Sequence, residues 1–152
     1  MRSSDTSIPE VSVITVDDQA VFREAARALV AATAGFTLLG EAACGEDAVT
    51  LAARLHPDLM LVDLGLPDIS GFETSARLAR LRPRPFVVLV STREDPILSD
   101  LAGSHGALGF LPKRALRPKT LRALWQLRDG SEAWIASHSP PRAHTLAETL
   151  GS

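Results

Sequence analysis

Four apolar runs in this sequence each end on groups that can do chemistry. Val11-Ser12-Val13-Ile14-Thr15-Val16 stops at Asp17-Asp18, and Asp58-Leu59-Met60-Leu61-Val62 runs straight into Asp63. Phe86-Val87-Val88-Leu89-Val90 stops at Ser91-Thr92, and the run from Ala107 to Leu111 stops at Pro112-Lys113. Clustered carboxylates repel one another unless a hard cation sits among them. Mg²⁺ accepts oxygen ligands in an octahedral shell and keeps several waters, so two or three acids suffice to hold it. A carboxylate can also act as a nucleophile and become an aspartyl phosphate. Catalysis would then rest on positioning and on neutralising the phosphoryl oxygens, for which a metal, a lysine and a hydroxyl are suited.

Those groups meet only if the runs are strands of one sheet with their carboxyl ends on one edge, where ligands bind in open parallel α/β sheets. The β-branched run 11–16 reads as a buried strand, and Gln19 to Thr33 as a helix with Phe22, Ala25, Ala26, Leu29 and Val30 at helical spacing, ended by Gly35. Phe36 to Ala42 is a strand, and Gly45 to Leu55 a helix stopped by His56-Pro57. After the strand 58–62 comes a loop with Pro67, Ser70 and Gly71, then a helix from about Phe72 to Leu81 broken by Arg82-Pro83-Arg84-Pro85. Phe86 to Val90 is the fourth strand. Asp95-Pro96 opens a short helix containing Gly103, expected to be the weakest, with Pro96 at its first position. Ala107 to Leu111 is the fifth strand, and Pro118 opens a helix to about Asp129. Five alternations of strand and helix predict right-handed crossovers and a parallel sheet covered on both faces.

Composition agrees with one globular unit. The chain has 152 residues, 45% apolar and 22% charged, with a net charge of −2. That balance argues against a protein held to nucleic acid by its overall charge. Cys44 is the lone cysteine, so no internal disulfide can form. No apolar run is long enough to cross a bilayer, and the first residues lack the apolar core of a signal peptide, which points to a cytoplasmic domain without membrane contact. Residues 1–63 carry ten acids against four arginines, a net of −6. Plainer alternatives exist for single positions. Asp17-Asp18 could cap a helix, Lys113 could be an exposed loop lysine, and Phe110 could be a core aromatic. Cys44 reads as a small half-buried residue and Glu46-Asp47 as a charge pair at a helix start. His56, His105, His138 and His144 have no metal-ligand spacing.

Taken together, Val16-Asp17-Asp18, Leu61 to Gly71 (Leu-Val-Asp-Leu-Gly-Leu-Pro-Asp-Ile-Ser-Gly), Val88-Leu89-Val90-Ser91 and Gly106 to Lys113 (Gly-Ala-Leu-Gly-Phe-Leu-Pro-Lys) resemble the receiver domain of response regulators in two-component signalling. The resemblance covers about residues 10–129 and leaves 130–152 as a linker-like tail. It implies an α/β fold of the flavodoxin type: an open, doubly wound sheet of five parallel strands in the order 2-1-3-4-5, with five helices. It implies that Asp63 is the phosphoacceptor, that Asp17, Asp18, Asp63 and the Gly65 carbonyl hold Mg²⁺, and that Lys113 pairs with the phosphoryl group or, before it arrives, with Asp63. Ser91 would bind a phosphoryl oxygen, and Phe110 would change rotamer as Ser91 moves. Gly65, Thr92 and Arg93 stand where the family tunes dephosphorylation. Lys113 is followed by Arg114 where many receivers have proline, so a cis peptide at that joint would be costly, about 3 kcal/mol.

Asp17 to Glu24 and Leu127 to Ile135 resemble regulators of the NarL/LuxR type, in which such a linker leads to a helix-turn-helix domain. That domain takes on the order of 60 residues, and 17 follow Ile135. A single-domain regulator or one half of a longer protein is therefore expected, with no direct nucleic-acid binding by this chain. The implied function is a switch phosphorylated by a histidine kinase or phosphotransfer protein. It is no enzyme, apart from Mg²⁺-dependent self-phosphorylation and self-dephosphorylation. The basic region Lys113, Arg114, Arg117, Lys119, Arg122 and Arg128 lies where the family's face of fourth helix, fifth strand and fifth helix forms homodimers or meets partners; a solvated helix is the plainer alternative. Leu146 to Leu150 could form a docking turn or a mobile tail. Haloacid-dehalogenase-like phosphatases use similar groups, but in them the nucleophile precedes the carboxylate pair and an acid stands two residues after it. Here the pair comes first and that place is Gly65. A module that kept the fold without phosphorylation, and the receiver half of a transcription regulator, complete the alternatives.

Overall fold

Each apolar run forms a strand and each intervening segment a helix, in a computed structural model that describes residues 10–128. The order is β1 (Val11–Val16), α1 (Ala20–Ala31), β2 (Phe36–Ala42), α2 (Gly45–Leu55), β3 (Leu59–Asp63), α3 (Gly71–Leu78), β4 (Phe86–Ser91), α4 (Ile97–Ser104), β5 (Gly109–Pro112), a 3-10 turn (Lys113–Ala115) and α5 (Pro118–Leu127). The strands make one parallel sheet in the order β2-β1-β3-β4-β5, as the resemblance implies. The tail 130–152, with His138, His144 and the segment 146–150, lies outside the described residues.

Alternation along the strands sends side chains to two cores. Val11, Val13, Leu59, Leu61, Phe86, Val88, Val90 and Leu111 pack with Val30 of α1 and with Leu121 and Leu124 of α5. Ile14, Val16, Met60, Val62, Val87, Leu89 and Phe110 pack against α2, α3 and α4 through Ala48, Ala52, Leu78, Leu98 and Ala102. β3 and β4 are buried along their whole length. That is why they read as continuous apolar runs rather than alternating ones. β2 sits at an edge and is half exposed.

Several ends differ from the sequence expectation. α1 runs Ala20–Ala31 with Gln19 as its N-cap residue, and Gly35 turns the chain at φ 87°. A residue with a Cβ would be strained there. α3 stops at Leu78, because the next N–H groups bond three residues back (Arg80 N to Arg77 O, Leu81 N to Leu78 O, both 3.1 Å) in tight turns. Pro96 is the N-cap residue of α4 and not its first helical residue. Asp95 caps that helix instead, its Oδ1 accepting from Ile97 N at 3.1 Å. β5 begins at Gly109, since Ala107 N still bonds the α4 carbonyl of Ala102 at 3.0 Å. The Lys113–Arg114 peptide is trans.

Two contacts fasten the loop that follows Asp63. Asp68 Oδ1 and Oδ2 accept from Gly45 N and Glu46 N, each at 2.9 Å, so this loop caps the start of α2. These backbone N–H groups hold the Asp68 carboxyl well below the usual carboxylate range. At the other end Gly71 N donates to Leu64 O at 3.0 Å, and α3 starts so close to β3 that a Cβ on Gly71 would lie 2.5 Å from Asp63 O. A Cβ on Gly65 would meet only Asp63 Oδ2, at 3.5 Å. Gly71→Ala is therefore expected to destabilise the domain by about 1–3 kcal/mol in urea unfolding, with Gly65→Ala near wild type. Equal stability of the two variants would contradict this account of the loop.

Candidate functional site

Sheet register assembles the site. Asp63 is the last residue of β3 and pairs with Val90, which puts Ser91 one step further along the neighbouring strand. Ser91 pairs with Pro112, so Lys113 leaves the next strand at the same edge. On the other side Val16 pairs with Val62, and Asp17-Asp18 follow. The expected strand ends thus converge, and Asp17, Asp18 and Asp63 each place a carboxylate oxygen within 4.8 Å of the others. Asp17 and Asp63 are buried and Asp18 is exposed.

Lys113 bridges the buried pair. Its Nζ lies 2.6 Å from Asp17 Oδ2 and 3.1 Å from Asp63 Oδ1, and its side chain is 12% exposed. Lys113 is no loop lysine in solvent. The pairing with Asp63 is the one the family resemblance implies, and the shorter contact to Asp17 adds to it. Beneath the ammonium lies the ring of Phe22, with Nζ 3.6 Å from the centroid. The second oxygen of Asp63 accepts from Gly65 N at 3.0 Å. Burial pushes the Asp63 carboxyl up, and the negative charge of Asp17 adds to this. The hydrogen bonds from Lys113 and Gly65 N–H pull it back toward the charged form.

The remaining expected residues divide into those at the site edge and those below it. Asp17 does not act as a helix cap: Gln19 holds that place without a side-chain cap, and Asp17 Oδ1 instead accepts from Gln19 N at 3.0 Å. Arg23, which carries no local sequence signal for the site, donates to Asp17 O at 2.8 Å. Ser91 Oγ accepts from Arg93 N at 2.9 Å. Phe110 is buried in the core on the α2–α3–α4 side. Thr92 is exposed, and so is Arg93, whose guanidinium makes no ion pair or hydrogen bond among the described residues. Arg114 reaches to Glu94 with two hydrogen bonds, 2.5 and 2.6 Å, joining the β4–α4 loop to the turn after β5. A cavity of about 400 Å³ opens beside Lys113 between α1 and the turn after β5, lined by Phe22, Ala25, Ala26, Leu29, Leu116 and neighbours.

An all-oxygen set of two or three carboxylates is what a hard divalent cation requires, and it is unsuited to metals that favour nitrogen or sulfur. The cluster therefore fits Mg²⁺. Asp68, Phe22 and the Arg114–Glu94 pair are contacts that the sequence reading did not foresee. Asp68 lies within the segment from Leu61 to Gly71 that carries the family resemblance, and neither of the others carries a local sequence signal.

The family profile described as the response regulator receiver domain matches residues 13–125. Among curated proteins the chain is 35% identical over 138 residues to the response regulator GacA of Pseudomonas aeruginosa, covering 90% of this chain and 62% of that protein. It is 32% identical over 137 residues to the nitrate/nitrite response regulator protein NarL of Escherichia coli, covering 89% and 62%. The chain thus spans less than two thirds of these relatives. Among solved structures it is similar to the signal receiver domain of the putative response regulator NarL from Mycobacterium tuberculosis, with a TM-score of 0.69 and 28% identity over 82% of this chain and 98% of that one. No helix among the described residues is long and apolar enough to cross a membrane. The profile match takes in the carboxyl ends of all the strands that build the acidic cluster, and on this ground the chain belongs to the receiver-domain family of response regulators in two-component signalling.

Proposed function

We propose that the chain is a phosphorylation-controlled switch in which Asp63 accepts a phosphoryl group from a histidine kinase or phosphotransfer protein. The observation that carries this reading is the buried Asp63 carboxylate with the Lys113 ammonium 3.1 Å from one oxygen, inside a cluster of three carboxylates. A carboxylate oxygen of Asp63 attacks phosphorus, the bond from phosphorus to the donor nitrogen breaks, and the donor leaves with that electron pair. Burial strips water from the nucleophile, and Lys113 follows the developing negative charge onto the phosphoryl oxygens. Ser91 Oγ accepts from Arg93 N, which leaves the hydroxyl proton free to be donated to a phosphoryl oxygen. Asp17, Asp18, Asp63 and the Gly65 carbonyl would hold Mg²⁺, which when bound neutralises phosphoryl charge. The acyl phosphate then favours an active state among pre-existing ones, with Ser91 and Phe110 as the moving parts.

The output of this switch is contact with protein. Ile97 and Leu101, one helical turn apart on α4, are 55% and 36% exposed, and Lys119 and Arg122 are exposed on α5. An apolar stripe beside a basic helix suits a homodimer through α4, β5 and α5. No observation favours a phosphoester hydrolase, because Gly65 offers only backbone at the place where such an enzyme needs an acid.

Incubation with Mg²⁺ and acetyl phosphate is expected to add one phosphoryl mass, stable in acid and lost in base, and Asp63→Asn is expected to gain none. No gain in wild type, or an equal gain in Asp63→Asn, would sink the switch reading. Gly65 leaves the site open on one side, and Thr92 and Arg93 flank it on the other. Arg93→Ala is expected to shorten the lifetime of the phosphoryl group severalfold, measured as loss of that mass after donor removal; an unchanged lifetime removes Arg93 from the account. In sedimentation velocity the phosphorylated protein should shift toward dimer and Ile97→Asp should not, whereas a dimer that persists in Ile97→Asp places the interface elsewhere.

A further inference from the structure

An ammonium this enclosed has to be compensated on every side, and the carboxylates do that on only one. Lys113 carries three N–H donors. Asp17 Oδ2 and Asp63 Oδ1 take up the anionic side at 2.6 and 3.1 Å. The Phe22 ring occupies another, with Nζ 3.6 Å from its centroid, well inside the range in which a ring face attracts a cation. Phe22 is half-buried, in the first turn of α1, and also borders the cavity of about 400 Å³ between α1 and the turn after β5. Core packing does not enclose the ring on that open side. Removal of the ring would leave the ammonium facing that opening, with room for water or for another rotamer.

We infer that Phe22 is a positioning residue for Lys113, its ring face holding the ammonium at the acceptor carboxylate through phosphoryl transfer. This rests on the reading of Asp63 as the acceptor. During transfer the anionic partner of Lys113 changes from a carboxylate oxygen to phosphoryl oxygens. Hydrogen bonds to fixed oxygens cannot follow that change without being remade. Attraction to a ring face depends weakly on direction within the ring plane, so the ammonium can slide toward the incoming group while the contact persists. α1 thereby contributes to the geometry of the site through a residue that touches neither the acceptor nor the metal ligands by hydrogen bond.

The test compares Phe22→Leu, which keeps apolar bulk and loses the ring, with Phe22→Tyr, which keeps the ring. In Mg²⁺ and acetyl phosphate the phosphorylation rate of Phe22→Leu should fall about three- to tenfold, with Phe22→Tyr close to wild type. In a Lys113→Met background Phe22→Leu should cost little further. A merely structural role would instead persist in that background. The wild-type protein should also show the Lys113 ε-methylene protons shifted upfield by the ring current in NMR spectra, a shift lost in Phe22→Leu. An unchanged rate in Phe22→Leu, an equal loss in the Lys113→Met background, or absence of the ring-current shift would each overturn the inference. Failure of wild type to take up phosphoryl at all would count against the acceptor reading instead, and the ring-current shift would still decide whether the ring holds the ammonium.

Discussion

Like charges held close together in a partly buried place set the terms for everything else in this domain. Asp17 and Asp63 are both buried and their carboxylates lie within 4.8 Å. Two such carboxylates repel each other unless a compensating cation sits between them. Lys113 supplies that compensation from the far end of the chain, and it can do so only because β5 delivers it to the same edge as β1 and β3. The sheet order is therefore an electrostatic requirement as much as a packing outcome. Moving either end of Lys113's pair would leave a buried charge unanswered, which is among the costlier defects a fold can carry.

The strand ends were legible because each group with chemistry terminates an apolar run, and apolar runs are what a two-sided sheet demands. β1, β2 and α2 form over the residues that periodicity picked out. The less exact boundaries, at α3, α4 and β5, are places where short-range hydrogen bonds decide the end: three-residue turns after Leu78, capping by Asp95, and the Ala107 bond back to α4. Composition and period carry no record of those bonds. The same limit applies at the site. Asp17, Asp63 and Lys113 could be placed from register alone. The Phe22 ring under Lys113, the Asp68 cap on α2 and the Arg114–Glu94 pair join segments far apart in the chain, and no local pattern announces them.

Arg114 illustrates how a departure from the commoner family residue is absorbed. The peptide after Lys113 is trans, and the arginine side chain finds a carboxylate on the neighbouring loop. Both partners are well exposed, at 69% and 48%, so their attraction is open to screening by salt. The guanidinium holds Glu94 below the usual carboxylate range, and the pair stays charged through the ordinary pH range.

The two loops on either side of Asp63 are fastened by different means, and that difference has a mechanical consequence. The loop after β3 is clamped by Gly71, pressed against the Asp63 carbonyl, and by the Asp68 carboxylate, bonded to two N–H groups of α2. The loop after β4 is fastened by the Ser91 hydroxyl, by the Asp95 cap on α4 and by an exposed ion pair. One side of Asp63 is packed against backbone, and the other is tied at its rim by an exposed ion pair. On the proposed switch reading, a load at Asp63 would displace the loop after β4 before the loop after β3, and so act toward α4, the helix whose apolar stripe faces solvent. Under the proposed switch reading, that path would follow from which loop abuts a backbone carbonyl and which is tied at its exposed rim.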